Sequence, residues 1–159
     1  MTFPSELLGS FWHTTSVSRY LKILKSGSIH PNPDIELRWG TGQGSEFYPF
    51  VRVLGGVSIF DFHKFNFEKY SRMFPSSSLY SFVPVQRDWE EAIWIQLLPN
   101  KMPGKFLNGA QLKTLQNEKK SFRNKLMPII ECAYIGLIPV DTFVSVLRYD
   151  EEHGFTKYS

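Results

Sequence analysis

Residues 128–135 read Pro128-Ile129-Ile130-Glu131-Cys132-Ala133-Tyr134-Ile135, a short apolar run interrupted by one carboxylate. A strand that is apolar at nearly every position is normally covered on both faces, so this run calls for a layered fold with a buried sheet. A carboxylate inside such a strand carries a desolvation cost unless it has a partner or opens onto a cleft. Two readings stand side by side for Glu131: a core glutamate paired with an arginine, or a functional group in a cleft.

At 159 residues the chain suits a single domain spanning 1–159, long enough to bury a real core. The lone cysteine, Cys132, excludes an intramolecular disulfide and suits a reducing, cytoplasmic setting. The N-terminus lacks the basic and apolar regions of a signal peptide. No apolar run approaches the roughly 20 residues that span a bilayer. The formal charge of +3 is compatible with a nucleic-acid or nucleotide partner without requiring one.

Along the chain, Phe11-Trp12-His13-Thr14-Thr15 is a β-prone run. Ser16 then caps a helix with Val17, Tyr20, Leu21 and Leu24 on its buried face, and Gly27 stops it. Arg19, Lys22 and Lys25 fall elsewhere on that helix, on its solvated side. Residues 28–47, rich in glycine and proline, read as a long irregular loop that includes Gly40-Thr41-Gly42-Gln43-Gly44. Residues 51–54 and 56–62 read as strands about the Gly55-Gly56 pair. Residues 64–73 are weakly helical, Glu90-Glu91 is a solvated turn, and 92–98 is a strand.

Residues 109–125 suit an amphipathic helix with Leu112, Leu115 and Phe122 inward. Its basic face, Lys113, Lys119, Lys120, Arg123 and Lys125, reads as a solubilising surface, with a track for a phosphate backbone as the alternative. Thr142 to Arg148 form a last strand, with a loose polar tail from Asp150. Strands outnumber helices, so the fold class is α+β with a mostly antiparallel sheet and a few short helices.

The four histidines are scattered and no pair has zinc-ligand spacing, so no metal site is expected. Neither a Walker-type loop nor a Gly-x-Gly-x-x-Gly after a strand is present. Cys132 points away from the face of Glu131 and reads as a small buried thiol. His13 alone is either a structural imidazole or a catalytic one.

The order of these elements is more specific than any one of them. The opening Phe11-Trp12-His13-Thr14-Thr15-Ser16, followed by Tyr20-Leu21-Lys22-Ile23-Leu24-Lys25-Ser26-Gly27-Ser28-Ile29, resembles the first strand and helix of the ADP-ribosyltransferase family. The closing Ile129-Ile130-Glu131-Cys132-Ala133-Tyr134 with Ile138-Pro139-Val140-Asp141-Thr142-Phe143 resembles the family's strand bearing the catalytic glutamate. Its spacing to the Ile-Pro turn is similar to that of DNA-modifying ADP-ribosyltransferase toxins. The resemblance runs from about residue 10 to 148, the expected core, and implies a split antiparallel sheet. No second acidic or amide residue stands two before Glu131, where Ile129 lies; that pattern marks transfer to arginine, so a nucleic acid, another residue type or water stays open as acceptor.

The resemblance implies a mono-ADP-ribosyltransferase that uses NAD as substrate. Glu131 and His13 are the implied catalytic residues. Thr14, Thr15, Tyr48, Arg52, Ser58 and Phe60 are the implied NAD-binding residues. In this picture Arg52 meets the pyrophosphate or holds Glu131, Tyr48 and Phe60 stack on the nicotinamide, and Ser58, with Tyr48 as alternate, fills the family's mid-chain position. A nucleic acid or protein acceptor and an antitoxin or defence-system partner follow as expectations, with no membrane. The alternatives are a non-catalytic nucleotide- or protein-binding member of the same fold, an inhibitor-like interaction protein, and an NAD glycohydrolase.

Overall fold

The computed structural model describes residues 2–31 and 48–158. The Gly40–Gly44 loop of the sequence reading lies outside them. The described chain is α+β. Strands β1 (Phe11–Thr15), β3 (Val57–Asp61), β4 (Glu91–Leu97), β5 (Lys105–Leu107), β6 (Glu131–Ile135), β8 (Ser145–Asp150) and β9 (Gly154–Lys157) form one sheet in the order β5-β6-β3-β1-β4-β8-β9. Two short strands, β2 (Ser28–Ile29) and β7 (Ile138–Pro139), form a separate pair. Every pairing among the described strands is antiparallel. Among the described residues no helix is long and apolar enough to cross a membrane.

Side-chain alternation divides the core. Ile59, Ile93, Ile95, Leu97 and Cys132 face one side, where helix α1 (Val17–Ser26) lays Tyr20, Val17 and Ile23 against them. The other side is an aromatic cluster of Trp12, Phe60, Phe62 and Trp94 under helix α3 (Phe67–Met73). Next to it, helices α2 (Phe50–Val53) and α4 (Gly109–Glu118) cover Leu107 and Ala133. The central strands β4 and β6 are therefore covered on both faces, as their apolar runs require.

Local signals set several boundaries. The Ser16 hydroxyl accepts the Arg19 N–H at 3.2 Å at the start of α1. At its end, Gly27 takes a left-handed φ of 88° and donates its N–H to the Ile23 carbonyl at 2.8 Å. Helix α4 opens with a reciprocal capping box between Asn108 and Gln111.

Other readings are corrected. Leu21 and Leu24 are exposed; the inward side of α1 is the Val17–Tyr20–Ile23 stripe, because Tyr20 offers the sheet more area than either leucine. Residues 51–54 are not a strand: Phe50–Val53 is a single helical turn between Pro49 and Gly55, where burial of Phe50 and Val51 overrides β propensity. Helix α4 ends before Phe122, which is 63% exposed, since the chain turns at Lys120 with a φ of 51°.

Ser28 and Ile29 are not loop but strand β2. Glu91 belongs to β4 and pairs with Arg148 across the ladder rather than lying in a solvated turn. The polar tail is not loose: β9 pairs with β8 along four positions. Beyond it, the Tyr158 N–H donates to the Val146 carbonyl at 2.8 Å, and its ring meets Tyr20 edge-on with centroids 5.5 Å apart.

Candidate active site

The ladder between β1 and β3 joins Phe11 to Asp61 and Trp12 to Phe60, then stops. On its other side β1 stays paired with β4 as far as Thr15. The sheet therefore opens between β1 and β3 beyond Trp12. His13 stands at this opening, with Nδ1 2.8 Å from the Ser58 carbonyl oxygen. A carbonyl can only accept, so Nδ1 carries the proton and Nε2 is left as an acceptor. Burial holds the imidazole pKa below its ordinary value; the Arg19 charge adds to this and the Ser58 bond opposes it. His13 is thus neutral at pH 7.

Ser58 also reaches Glu131. Its hydroxyl donates to Glu131 Oε2 at 2.7 Å, and the Met127 N–H donates to Oε1 at 2.9 Å. Serine 58 therefore connects imidazole and carboxylate, through its carbonyl on one side and its hydroxyl on the other. Register explains the meeting: Ser58 lies opposite Ala133 and Phe60 opposite Glu131, on one face of the β3–β6 ladder. Glu131 is 5% exposed. Burial raises its pKa above the ordinary carboxyl value, and the Met127 and Ser58 hydrogen bonds oppose that rise. No cation pairs with it among the described residues, so the arginine of the core-glutamate reading is not found there.

The turn that delivers Glu131 is tight. The Ile130 N–H bonds the Pro128 carbonyl at 2.7 Å around Ile129, whose φ is 70°. This is the rarer, strained form of γ-turn. The Glu131 N–H bonds back to the Met127 carbonyl at 3.3 Å, so residues 127–131 close on themselves. Ile129 thus lies before β6 rather than within the strand that its apolar run suggests, and it is 60% exposed.

A β-branched residue there costs about 1–3 kcal/mol of backbone strain. Replacing Ile129 with Gly removes that strain and gives up only the minor, covered part of a side chain that is 60% exposed, at roughly 0.5–1 kcal/mol of added chain entropy. The Ile129→Gly variant is expected to unfold about 1 kcal/mol less readily in urea; a fall in midpoint would contradict the strain.

Glu131, Ser58 and His13 all line one cavity of about 440 Å³. Thr14 and Thr15 line it too; the Thr14 hydroxyl donates to the Ile93 carbonyl at 3.1 Å, and Thr15 is buried. Phe60 contributes to the wall, but its ring is engaged by Phe62, Phe82 and Trp94 in the core. Arg52 enters from α2, with its guanidinium carbon 4.3 Å from the centroid of the Tyr48 ring. Its Nη1 is buried and has no hydrogen-bond partner. Tyr48 is not on the cavity wall; it acts beneath Arg52, and its own carbonyl accepts from Asn124 Nδ2 at 2.8 Å.

Several lining residues carry no clear sequence signal. Arg19 and Lys22, read as solvated, bring positive charge to the cavity from α1. Gln86 and Trp89 line it from an irregular segment, and Met127 from the turn. On α1 the missing fact is that Ile23, not Leu21 and Leu24, faces inward beside Tyr20; nothing periodic marks Gln86. Cys132 lies on the opposite face, its thiol pushed up to about 12, chiefly by burial, so it is no nucleophile at neutral pH. Among the described residues no three metal-ligating side chains converge.

A dry carboxylate beside an unprotonated imidazole nitrogen, with arginine and lysine around it, suits a ligand that carries anionic oxygens and develops positive charge at one atom. No family model, no curated protein and no solved structure matches this chain.

Proposed function

We propose that this chain is an NAD-dependent mono-ADP-ribosyltransferase with an ADP-ribosyltransferase-like fold, in which Glu131 promotes cleavage of the nicotinamide–ribose bond. One observation carries the reading: Ser58 links the Glu131 carboxylate to His13 within a cavity that Arg19, Lys22 and Arg52 also line. The opening of the sheet between β1 and β3 agrees with the split sheet that the opening and closing motifs imply.

In the reaction the bond from ribose C1′ to the pyridinium nitrogen breaks, and its electron pair neutralises the departing nicotinamide. Positive charge grows on the ribose, as in glycoside cleavage. The ionised Glu131 stabilises that charge, and a preorganised group of this kind contributes on the order of 3 kcal/mol. His13 Nε2 accepts from a ribose hydroxyl. Arg52, on the cavity wall, meets a pyrophosphate oxygen. The acceptor then bonds C1′ and gives up its proton to a base, for which Glu131 is the carboxylate that lines the cavity among the described residues.

Nucleic acid is the favoured acceptor. Lys113, Lys119, Lys120, Arg123 and Lys125 are exposed and stand on α4 and the segment leading into Met127, which anchors Glu131. Such a surface can follow a phosphate backbone.

Incubation with NAD, followed by chromatography of free nicotinamide, is expected to give release that rises with added DNA or RNA. Equal release without any acceptor would instead make the protein a glycohydrolase. Release only with cell extract would point to a protein acceptor. No release under any condition would leave a binding protein and sink the catalytic reading.

A further inference from the structure

A second cavity, of about 320 Å³, shares the turn that delivers Glu131. The turn gives Met127 and Glu131 to the first cavity and Ile129 and Ile130 to the second. The Asp61 N–H donates to the Ile130 carbonyl at 2.7 Å, which ties the shared turn to the end of β3. The reaction above makes no use of this second cavity.

Its wall combines two kinds of surface. Ile129 and Met73 line it and are each more than half exposed. Large apolar side chains left open together in a cavity mark a contact surface. Lys64 and Lys69 line the same cavity and are also exposed. Lys69 and Met73 stand four apart on α3, so they share one face of it. All four side chains are open to solvent, so a ligand can reach them.

His63 adds an imidazole whose orientation is set. An ionised carboxylate can only accept, so His63 Nδ1 donates to Asp61 Oδ1, which also accepts the His63 backbone N–H at 3.1 Å. The ring stacks on Phe11 with centroids 5.1 Å apart, and the side chain is still 42% exposed. Asp61 is the one carboxylate among the described residues that line this cavity, and its Oδ1 is taken by His63. The other charges on the wall are the two lysines.

A ligand that suits this wall joins an anion to a flat apolar body, which is the make-up of a nucleotide. We propose that the second cavity is a subsite for one unpaired nucleotide of the acceptor strand, its phosphate held by Lys64 and Lys69 and its base lying against His63, Met73 and Ile129. This deepens the nucleic-acid reading and rests on it. A base must leave its stack to meet such a wall, so the strand is single there. A basic surface leads to the place. Lys119, Lys120 and Lys125 are exposed on the segment that runs from α4 into the turn at Met127. A strand following them arrives at Ile129, two residues before Glu131.

The test measures binding of a fluorescein-labelled single-stranded DNA octamer by anisotropy, without NAD. The comparison probe is the same sugar–phosphate chain with abasic positions. The parent is expected to bind the octamer at least tenfold more tightly than the abasic chain. His63→Ala combined with Met73→Ala is expected to erase most of that preference. Lys64→Gln combined with Lys69→Gln is expected to weaken both probes at least tenfold. Lys105→Gln combined with Lys157→Gln removes equal charge from exposed positions on β5 and β9 and is expected to change neither by more than threefold.

Equal affinity for the two probes, a preference that survives the His63 and Met73 substitutions, or equal losses in the two lysine pairs would each overturn the subsite. A mononucleotide that displaces the octamer as well as unlabelled octamer does would make the ligand a free nucleotide and overturn the strand assignment. Nicotinamide release is judged apart. A parent that binds the octamer as expected but releases no nicotinamide keeps the subsite and loses the chemistry; one that releases nicotinamide but ignores the bases does the reverse.

Discussion

Replacing Glu131 with Gln is expected to lower nicotinamide release at least a hundredfold and, at pH 8, to raise the melting temperature by several degrees. The loss follows from charge: glutamine keeps the shape and can still accept the Met127 N–H, but it cannot stabilise a cationic ribose. The gain in stability follows from linkage. The Glu131 pKa is raised in the fold, chiefly by burial, so the folded state favours the protonated carboxyl. A group of this kind contributes stability that is fully present below its unfolded pKa and is lost as the pH rises through its folded pKa. Above that point the ionised carboxylate weighs against the fold, by about 1.4 kcal/mol for each unit of elevation. A chain of this size gains about 2–4 °C per kcal/mol.

The melting difference between variant and parent should therefore shrink as pH falls toward 4 and widen to a plateau on the alkaline side. The activity of the parent should run the same way, rising with pH as Glu131 ionises, with a midpoint above that of an ordinary glutamate. A variant that is inactive and also less stable at pH 8 would mean that the ionised carboxylate supports the fold, against the burial argument.

Replacing Gly109 with Ala is expected to destabilise the protein by about 2–3 kcal/mol and to reduce nicotinamide release as well. Gly109 opens α4 and lies against the turn before Glu131. A β-carbon there would fall onto the Ile129 carbonyl, with the carbonyl carbon only 2.7 Å away. The obstacle is backbone, so no side chain can rotate aside. Either α4 moves out, or the 127–131 turn shifts and carries the carboxylate with it. Urea midpoints measure the first effect and turnover per folded molecule the second. An alanine variant of parental stability would mean that this contact yields easily.

What the sequence discloses follows from how local each signal is. The β1–α1 unit is legible because its cap, its period and its glycine stop all lie within 17 residues, Phe11 to Gly27. Strands β3, β4 and β6 stand out through β-branched and aromatic runs. Helix α2 is illegible because its four residues favour a strand, and only packing against Leu112 and Ala133 makes them a turn of helix. Strand β9 is polar and short, and it exists by pairing with β8. Phe122 continues the helical period of α4, yet the chain turns first.

The same distinction runs through the site. Glu131 is conspicuous because charge is rare in such a run. Its link to His13 through Ser58 depends on the register of β3 against both β6 and the end of β1, across 45 and 73 residues of chain. Lys22 reads as solvated in the sequence because Leu21 and Leu24 share the expected buried face with Tyr20, whereas the observed stripe is Val17, Tyr20 and Ile23. Gln86 sits in irregular chain, where no pattern marks what a side chain faces.

The contact of Tyr158 with Tyr20 gives the C-terminal strand a duty at a distance. Tyr20 is the anchor of the helix that brings Arg19 and Lys22 to the cavity. The last hairpin thus buttresses the cationic wall from behind. Trimming the chain to its motif-bearing stretch would remove that prop and let the helix swing, drawing Arg19 and Lys22 away from the cavity although Glu131, Ser58 and His13 stayed in place.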